Sequence, residues 1–353
     1  MNAPKLLALE TAVPARCFRQ DEISDLYIDL LNKQGGTRRE RAIRAAMRYA
    51  GVECRHSVIN GEFFSQPRTT QQRNDRYMAE ALPLGEQVIR LGLARAGVDP
   101  QTISSFIIVS CTGFNIPGLD LLLAQRLGMS NGLARTQVFG MGCYGAFPGL
   151  RRALDHVLAR PGGMSLMLSL ELCTLHLQFD DSAESVVSTS LFADGTGMAL
   201  LGAGDEAAAA PAFIDSETYC DYQTLDHMSF NLTDQGFRMY LSSYVPDLLA
   251  ANVEAFVERL LNRNGLTRAD IRFWAIHPGS QRIVEYIQAQ LGLAPTQVQA
   301  SLDTLRDFGN MSSATVLFVL ERIMRDGQPQ RGDYAVMMAF GPGLTMEAML
   351  LRW

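Results

Sequence analysis

The chain has 353 residues, 47% of them apolar and 19% charged, with a net charge of −6. These values are typical of a globular protein with two domains or one large two-part domain, and the acidic balance argues against nucleic-acid binding. No apolar run approaches the roughly 18–20 residues that cross a bilayer. The N-terminal run KLLALETAVPAR is interrupted by Glu10, so it is not typical of a secretory signal, and we expect a cytoplasmic protein.

A basic stretch, TRRERAIRAAMR, covers residues 37–48. Thr37 and Glu40 have the spacing of a capping box, which predicts a helix that begins there. Three arginines then share one face of that helix. The face is either a solvated surface or a site for phosphate oxygens. The three residues are Arg41, Arg44 and Arg48.

Two motifs repeat along the chain at one offset. Phe106 opens the strand-like run FIIVS and Phe273 opens FWAI, 167 residues later (273 − 106 = 167). The same offset relates Cys143 to Asn310, and each follows a Gly and precedes a helical apolar period. We therefore predict that Cys143 and Asn310 begin equivalent helices near a pseudo-twofold axis, with His277 at the end of a central strand.

Further apolar runs of strand length also repeat, and continuous runs of this kind indicate strands that are buried on both faces. They predict an α/β chain of two similar halves, residues 1–205 with the Cys and residues 206–353 with the His and Asn. The small-residue segment 202–211 is the predicted boundary. The runs are 164–172 and 197–203 in the first half, and 334–340 and 345–353 in the second.

The combination of Cys143, His277 and Asn310 indicates acyl transfer to sulfur followed by enolate chemistry. A thiol at a helix N-terminus has a lowered pKa, and a neighbouring imidazole can form an ion pair with the thiolate. The Asn amide and the His N–H can then stabilise a carbonyl oxygen as it gains charge. Taken singly, each residue is more often structural than catalytic.

The remaining cysteines give no sign of a metal site, since none forms a CxxC pair and the five histidines do not cluster at zinc spacing. We expect six reduced thiols that mostly pack as small apolar side chains. They are Cys17, Cys54, Cys111, Cys143, Cys173 and Cys220.

The motifs MGCYGAFPGL, AIHPGS, LRDFGNMSSATVLFVL and AFGPGLTMEAMLLRW resemble those of type III polyketide synthases, the chalcone synthase superfamily, and SCTGFNIPGLD resembles its bacterial branch. The resemblance extends from about residue 5 to Trp353. It implies a thiolase-like α/β fold, with two pseudo-symmetric halves in a layered αβαβα arrangement. It also implies a homodimer that uses malonyl-CoA and an acyl-CoA starter as substrates, without a metal or other cofactor, and without nucleic acid or membrane partners.

By position in these motifs, Cys143 corresponds to the family's nucleophile, and His277 and Asn310 to its other catalytic residues. Phe192 corresponds to the gatekeeper between the CoA tunnel and the cavity, and Ile116 to a residue that reaches into the partner's cavity. The basic helix corresponds to one that helps to hold CoA phosphates. Further cavity positions implied by the resemblance are Cys111, Thr112, Cys173, His176, Ser188, Phe230, Met239, Ser312, Phe340, Gly341 and Pro342.

Bulky residues stand at several of these positions when compared with plant chalcone synthases. Phe230 replaces a Gly, Met239 replaces a Phe and His176 replaces a Thr. We therefore do not expect a flavonoid. We expect an aliphatic acyl-CoA starter that yields an alkylpyrone or alkylresorcinol-type product, with a malonyl- or acetyl-primed small aromatic as the alternative.

Three other functions stay open at this point. A ketoacyl-ACP synthase III shares the triad but would use malonyl-ACP, and it lacks the FGPGLT ending. A hydrolase or acyltransferase using Cys143 and His277 would release the starter acid unextended. A non-catalytic homologue acting as an assembly subunit would not react with thiol-directed substrate analogues at Cys143.

Overall fold

Strands and helices alternate along the chain, and the computed structural model describes them over residues 3–204, 210–241 and 245–353. The strands are β1 (Lys5–Ala12), β2 (Cys17–Arg19), β3 (Cys54–His56), β4 (Ile103–Val109), β5 (Ala134–Val138), β6 (Met164–Leu172), β7 (Asp194–Gly202), β8 (Ala212–Cys220), β9 (Met228–Thr233), β10 (Gly236–Leu241), β11 (Ile271–Ile276), β12 (Tyr334–Gly341) and β13 (Thr345–Arg352). The helices are α1 (Gln20–Lys33), α2 (Glu40–Arg48), α3 (Thr70–Ala96), α4 (Leu119–Leu127), α5 (Ala146–Ala159), α6 (Ala183–Leu191), α7 (Val245–Arg263), α8 (Gln281–Leu291), α9 (Pro295–Phe308) and α10 (Thr315–Asp326).

Nine strands of the described residues form one sheet in the order β11-β12-β13-β8-β1-β7-β6-β4-β5. The two halves of the chain meet where β1 pairs with β8, at Lys5 and Ala212. On each side the same pattern recurs: β4–β6 and β11–β12 are parallel, whereas β6–β7 and β12–β13 are antiparallel. The sheet therefore confirms the α/β class and its repeated half.

Five strands of the sheet, β4, β6, β7, β12 and β13, are buried on both faces because helices cover each side. Along β4, Ile107 and Val109 face a central core with α5 and α10, whereas Phe106 and Ile108 face an outer core with α3 and α4. A second outer core packs α7 and α8 on β11–β13. Side chains alternate between the faces of a strand, so an unbroken apolar run contributes side chains to a core on each face. The result is the five-layered, thiolase-like αβαβα arrangement expected from the sequence.

The repeat differs in register from the sequence prediction. The 3₁₀ turn Gly142–Tyr144 precedes α5, and its counterpart before α10 is Ser312–Ala314. That offset is 170 (312 − 142 = 170), which makes Ser313 the equivalent of Cys143. The prediction that Asn310 begins a helix is wrong, since Asn310 forms an isolated bridge with Phe192 instead. Insertions between the motifs shift the register, and a single offset cannot follow them.

The basic helix α2 begins at Glu40, with Arg39 as its N-cap, so the predicted capping box of Thr37 and Glu40 is wrong. The Thr37 hydroxyl accepts a hydrogen bond from the Arg39 N–H at 3.0 Å, which forms a tight turn before the helix.

Two further expectations concern the thiols and the boundary between the halves. Cys17 and Cys54 form a disulfide, so the expectation of six reduced thiols is wrong. The predicted boundary between residues 205 and 206 lies outside the described residues and stays a prediction. Within the described part of the chain, no helix combines the length and the hydrophobicity that a membrane-spanning segment requires.

Candidate active site

Cys143 lies in the turn that leads from β5 into α5, and its side chain is buried. Gly142 precedes it with a φ of +67°, a conformation that favours glycine. A Cβ on Gly142 would lie 2.7 Å from Cδ of Pro342, so the GPG loop packs directly on this turn. Only glycine at 142 allows the loop and the thiol to approach this closely.

His277 follows β11 and is anchored by its backbone, because its N–H donates to the Met338 carbonyl at 2.8 Å. The imidazole is 2% exposed, and neither of its nitrogens has a hydrogen-bond partner among the described residues. A buried imidazole whose two nitrogens lack hydrogen bonds destabilises the fold unless a bound ligand supplies those hydrogen bonds. His277 is therefore poised to bind a substrate group.

The Asn310 side chain is fixed by its neighbours. Its Oδ1 accepts from the Ser312 N–H at 2.8 Å, and its Nδ2 donates to the Gly279 carbonyl at 3.2 Å. An amide nitrogen carries two hydrogens, so the second N–H remains for the site. Gly309 before it has a φ of +73°, and a Cβ there would lie 2.9 Å from the Leu191 carbonyl oxygen.

The three predicted catalytic residues are brought together around Gly279. A Cβ on Gly279 would lie 3.8 Å from Nε2 of His277, and the Gly279 carbonyl holds Asn310. Ser312 and Asn310 in turn lie close enough to the Cys143 thiol to lower its pKa. One small region thus contains a thiol, an imidazole and an amide donor whose orientation is fixed.

Burial controls the charge of this site. It raises the pKa of the Cys143 thiol to about 11, against hydrogen bonds from Ser312 and Asn310 that lower it. Burial also lowers the pKa of His277 to about 3. Both directions favour a neutral thiol beside a neutral imidazole in the resting site, rather than the ion pair expected from the sequence.

Phe192 ends α6 and packs with Cys143, Cys173 and Leu177. Its backbone is tied to the site, because Ala193 N–H donates to the Asn310 carbonyl and Asn310 N–H donates to the Leu191 carbonyl. The apolar ring therefore sits beside the thiol.

A cavity of about 390 Å³ opens next to these residues. Most of the predicted cavity residues line it, and so does Phe192, the predicted gatekeeper; the cavity residues are Cys111, Thr112, Cys173, His176, Ser188, Phe230, Met239, Ser312 and Pro342. The sequence missed several aromatic and apolar lining residues that come from distant segments, including Phe139, Tyr144, Leu225 and Phe237.

Three predicted cavity residues lie elsewhere. Phe340 is buried in the outer core beside α7 and α8, and Gly341 packs on the Tyr144 ring. Ile116 is 90% exposed. Cys143, His277 and Asn310 are not among the residues that line this cavity. Gly142 and Tyr144, which flank Cys143 in the chain, do line it.

Glu171 is a buried acidic residue beside the cavity that sequence reasoning missed. Its carboxylate accepts hydrogen bonds from the Cys111 N–H at 3.0 Å, the Thr112 hydroxyl at 2.8 Å and the Ser313 hydroxyl at 2.5 Å. Burial raises its pKa. A single acidic residue inside the apolar run 164–172 was the available signal, because a buried carboxylate needs partners from other elements.

His176 joins the cavity wall to the β9–β10 hairpin. The Phe237 N–H donates to its Nδ1 at 3.2 Å, so Nε2 carries the hydrogen and donates to the Thr112 carbonyl at 2.7 Å. Burial lowers the pKa of His176 to about 4. Since the unfolded chain takes up this proton near pH 6.5, stability is lost as the pH falls from about 6.5 to about 4.

We expect His176→Gln to remove this pH dependence. Relative to the variant, the wild-type free energy of unfolding should fall by about 2 kcal/mol between pH 7 and pH 5. Denaturant titrations at both pH values measure the difference, and the other titrating groups cancel because both proteins contain them. Parallel pH profiles would contradict the neutral, bridging histidine.

Family models match almost the whole chain. The model described as "Chalcone and stilbene synthases, N-terminal domain" matches residues 2–205, and the model of the C-terminal domain of the same family matches residues 219–353.

Characterised relatives align over nearly their full length. The chain is 32% identical to the 1,3,6,8-tetrahydroxynaphthalene synthase of Streptomyces peucetius subsp. caesius, covering 98% of this chain and 92% of that enzyme. It is 30% identical to the "Alpha-pyrone synthesis polyketide synthase-like Pks18" of Mycobacterium tuberculosis, with 97% and 89% covered. The solved structure of PKS-I from the brown alga Ectocarpus siliculosus superposes with a TM-score of 0.92, at 28% identity and with 99% and 98% covered.

Proposed function

Since the chain belongs to the chalcone and stilbene synthase family of type III polyketide synthases, we propose that it extends a Cys143-bound acyl group by decarboxylative condensation with malonyl-CoA. One observation carries the assignment of roles. The Asn310 amide is held by Gly279 and Ser312, and it lies close enough to the Cys143 thiol to lower the pKa of that thiol.

In the loading step, Cys143 attacks the thioester carbonyl of the starter acyl-CoA. His277 takes the thiol proton as the S–C bond forms, and it returns that proton to the departing CoA sulfur. Neutral reactants suit a buried site, because charge appears only as the reaction proceeds.

In the extension step, the His277 N–H and the Asn310 N–H donate to the thioester oxygen of malonyl-CoA. Loss of CO₂ leaves an enolate whose negative oxygen these two donors stabilise. The apolar ring of Phe192 disfavours the carboxylate and favours neutral CO₂. The enolate carbon then attacks the acyl-cysteine, and Cys143 is released for another round or for cyclisation.

The cavity size bears on the product. At about 390 Å³ it lies near the lower end of the range of small-molecule pockets, roughly 300–1,000 Å³. Phe230 and Met239 occupy part of its wall. This supports the alternative stated above, a short starter that ends as a small ring system, over a long alkyl chain.

Product masses test the proposal. Incubation with malonyl-CoA and a panel of acyl-CoA starters from C2 to C16 should give extended, cyclised products, with the highest kcat/KM for the short starters. Release of the unextended starter acid alone would indicate a hydrolase. Extension only from malonyl-ACP would indicate a ketoacyl-ACP synthase III.

We also propose a homodimer in which Ile116 reaches the partner's cavity. Ile116 is 90% exposed, and the nearby Phe114 and Phe139 are about half exposed. The centroids of these two phenylalanine rings lie 5.6 Å apart. Apolar side chains this exposed are costly unless another surface covers them. Ile116→Glu should shift the mass from dimer to monomer in light scattering, because the carboxylate would be buried without a partner. An unchanged dimer mass would contradict this interface.

The CoA phosphates are proposed to bind at Arg41, Arg44 and Arg48 of α2. Arg44 is already paired with Asp25 at 2.6 Å and with Glu40 at 2.9 Å, so its charge is largely compensated. We therefore expect Arg48→Ala to raise the KM for acyl-CoA about tenfold with kcat unchanged, and Arg44→Ala to raise it less. Steady-state kinetics measures both values. An unaltered KM in both variants would favour a solvated helix face.

A further inference from the structure

A second cluster of reactive side chains lies outside the candidate active site, on the two-stranded ribbon β2–β3. The strands pair antiparallel, with Cys17 opposite His56 and Arg19 opposite Cys54. Since directly opposed and diagonal residues of such a pair share a face, Cys17, Cys54 and His56 lie on the same side of the ribbon. One ligand atom of each lies within 4.8 Å of the other two.

The imidazole of His56 is oriented as metal-binding imidazoles commonly are. Its Nδ1 lies 2.7 Å from the Pro14 carbonyl, which can only accept, so Nδ1 carries the hydrogen. Nε2 therefore keeps its lone pair for a ligand. A backbone carbonyl that fixes the tautomer in this way is a recurrent second partner of metal-bound histidines.

The cluster is also accessible. Cys17 is exposed, and Cys54 and His56 are half-buried. No other group of three such ligands occurs in the parts of the chain that the structure describes. Two thiolates and one imidazole form a soft donor set that selects Zn²⁺ over Mg²⁺ or Ca²⁺.

We propose that Cys17, Cys54 and His56 form a zinc site when the Cys17–Cys54 disulfide is reduced. A dithiol reductant supplies two electrons and two protons to the disulfide, giving two thiols while the dithiol becomes a disulfide. Zn²⁺ then replaces the two thiol protons, which leave to solvent, and the His56 lone pair adds the third bond. Water completes the tetrahedral site, so the ribbon carries either the disulfide or the metal.

The opposite face of the ribbon connects this disulfide or zinc crosslink to the candidate active site. Arg55, between Cys54 and His56, points inward, and its guanidinium donates to the Phe192 carbonyl at 3.0 Å and to Gln20 Oε1 at 2.6 Å. Either crosslink fastens β2 to β3 and so holds Arg55 against the backbone of Phe192.

Metal binding by the full-length wild-type protein tests the proposal directly. Protein reduced with a phosphine and dialysed anaerobically against Zn²⁺ should retain about one tightly bound ion per chain. Protein oxidised with diamide beforehand should retain none at this site. Co²⁺ in place of Zn²⁺ should give thiolate-to-cobalt charge-transfer absorption only in the reduced protein.

Variants assign the ligands. Cys17→Ser and His56→Gln should each weaken zinc binding by at least about 10–100-fold. Cys220→Ser is the matched control, a free half-buried thiol at the end of β8, and it should bind zinc like the wild type. Retention of no zinc by the reduced wild type would overturn the proposal. So would undiminished binding by Cys17→Ser, since the ion would then occupy other thiols.

Discussion

Cys143→Ala is expected to abolish chain extension while malonyl-CoA decarboxylation continues. The enolate forms through the His277 and Asn310 donors, and neither depends on the sulfur for its backbone anchor. Without the thiol, no acyl group can be held for the enolate to attack. Acetyl-CoA, the protonated enolate, should therefore accumulate when the variant is given malonyl-CoA, and no extended product should appear with any starter.

Cys220→Ser serves as the control for this experiment, because it removes a free thiol at the C-terminal end of β8 whose hydrogen bond is to Thr345 rather than to the triad. It should retain both reactions. Extended product from the Cys143→Ala protein at the wild-type rate would refute the covalent mechanism. Loss of decarboxylation as well would show that the sulfur also shapes the malonyl site.

Asn310→Asp is expected to lower decarboxylation and condensation together, by about 10²–10³-fold in kcat, the usual effect of losing one oxyanion donor. The aspartate keeps the acceptor that receives the Ser312 N–H, but it replaces the Nδ2 donor with a negative oxygen. That charge opposes the developing enolate. Measuring CO₂ release and product formation separately shows whether both steps decline equally.

Asn264→Asp provides a matched control, since Asn264 is a partly buried asparagine at the end of α7 that contacts Asp215 rather than the triad. Its kcat should stay near the wild-type value. If Asn310→Asp reduced condensation but left CO₂ release intact, the amide would serve the carbon–carbon bond-forming step rather than the enolate.

The layered fold was predictable because its strands are unbroken apolar runs. β6 and β12 contribute side chains to a core on each face of the sheet, which requires apolar side chains on both faces of each strand. The sequence shows these continuous apolar runs at residues 164–172 and 334–340. The positions of the three proposed catalytic residues could be located for a similar reason, since Cys143, His277 and Asn310 each follow a strand or a glycine turn that the sequence displays.

Electrostatics and cross-chain contacts were not predictable. The neutral state of Cys143 and His277 depends on how completely the two halves exclude water, and no local pattern encodes that. The Cys17–Cys54 disulfide joins strands of three residues each, 37 positions apart, and strands that short leave no periodicity to read. Glu171 draws its partners from two separate segments, Cys111 and Thr112 after β4 and Ser313 before α10.

The backbone bridge between Phe192 and Asn310 has a consequence for redesign. The Asn310 main chain accepts a hydrogen bond from the Ala193 N–H and donates one to the Leu191 carbonyl, so the backbone on both sides of Phe192 is joined to the residue that carries the amide donor. Substitutions at Phe192 that alter the width of the cavity entrance would thus also shift the Asn310 amide and lower the reaction rate. Pocket shape can be varied more independently from the β9–β10 side, where Phe230 and Met239 meet the cavity with no main-chain link to the triad among the residues described.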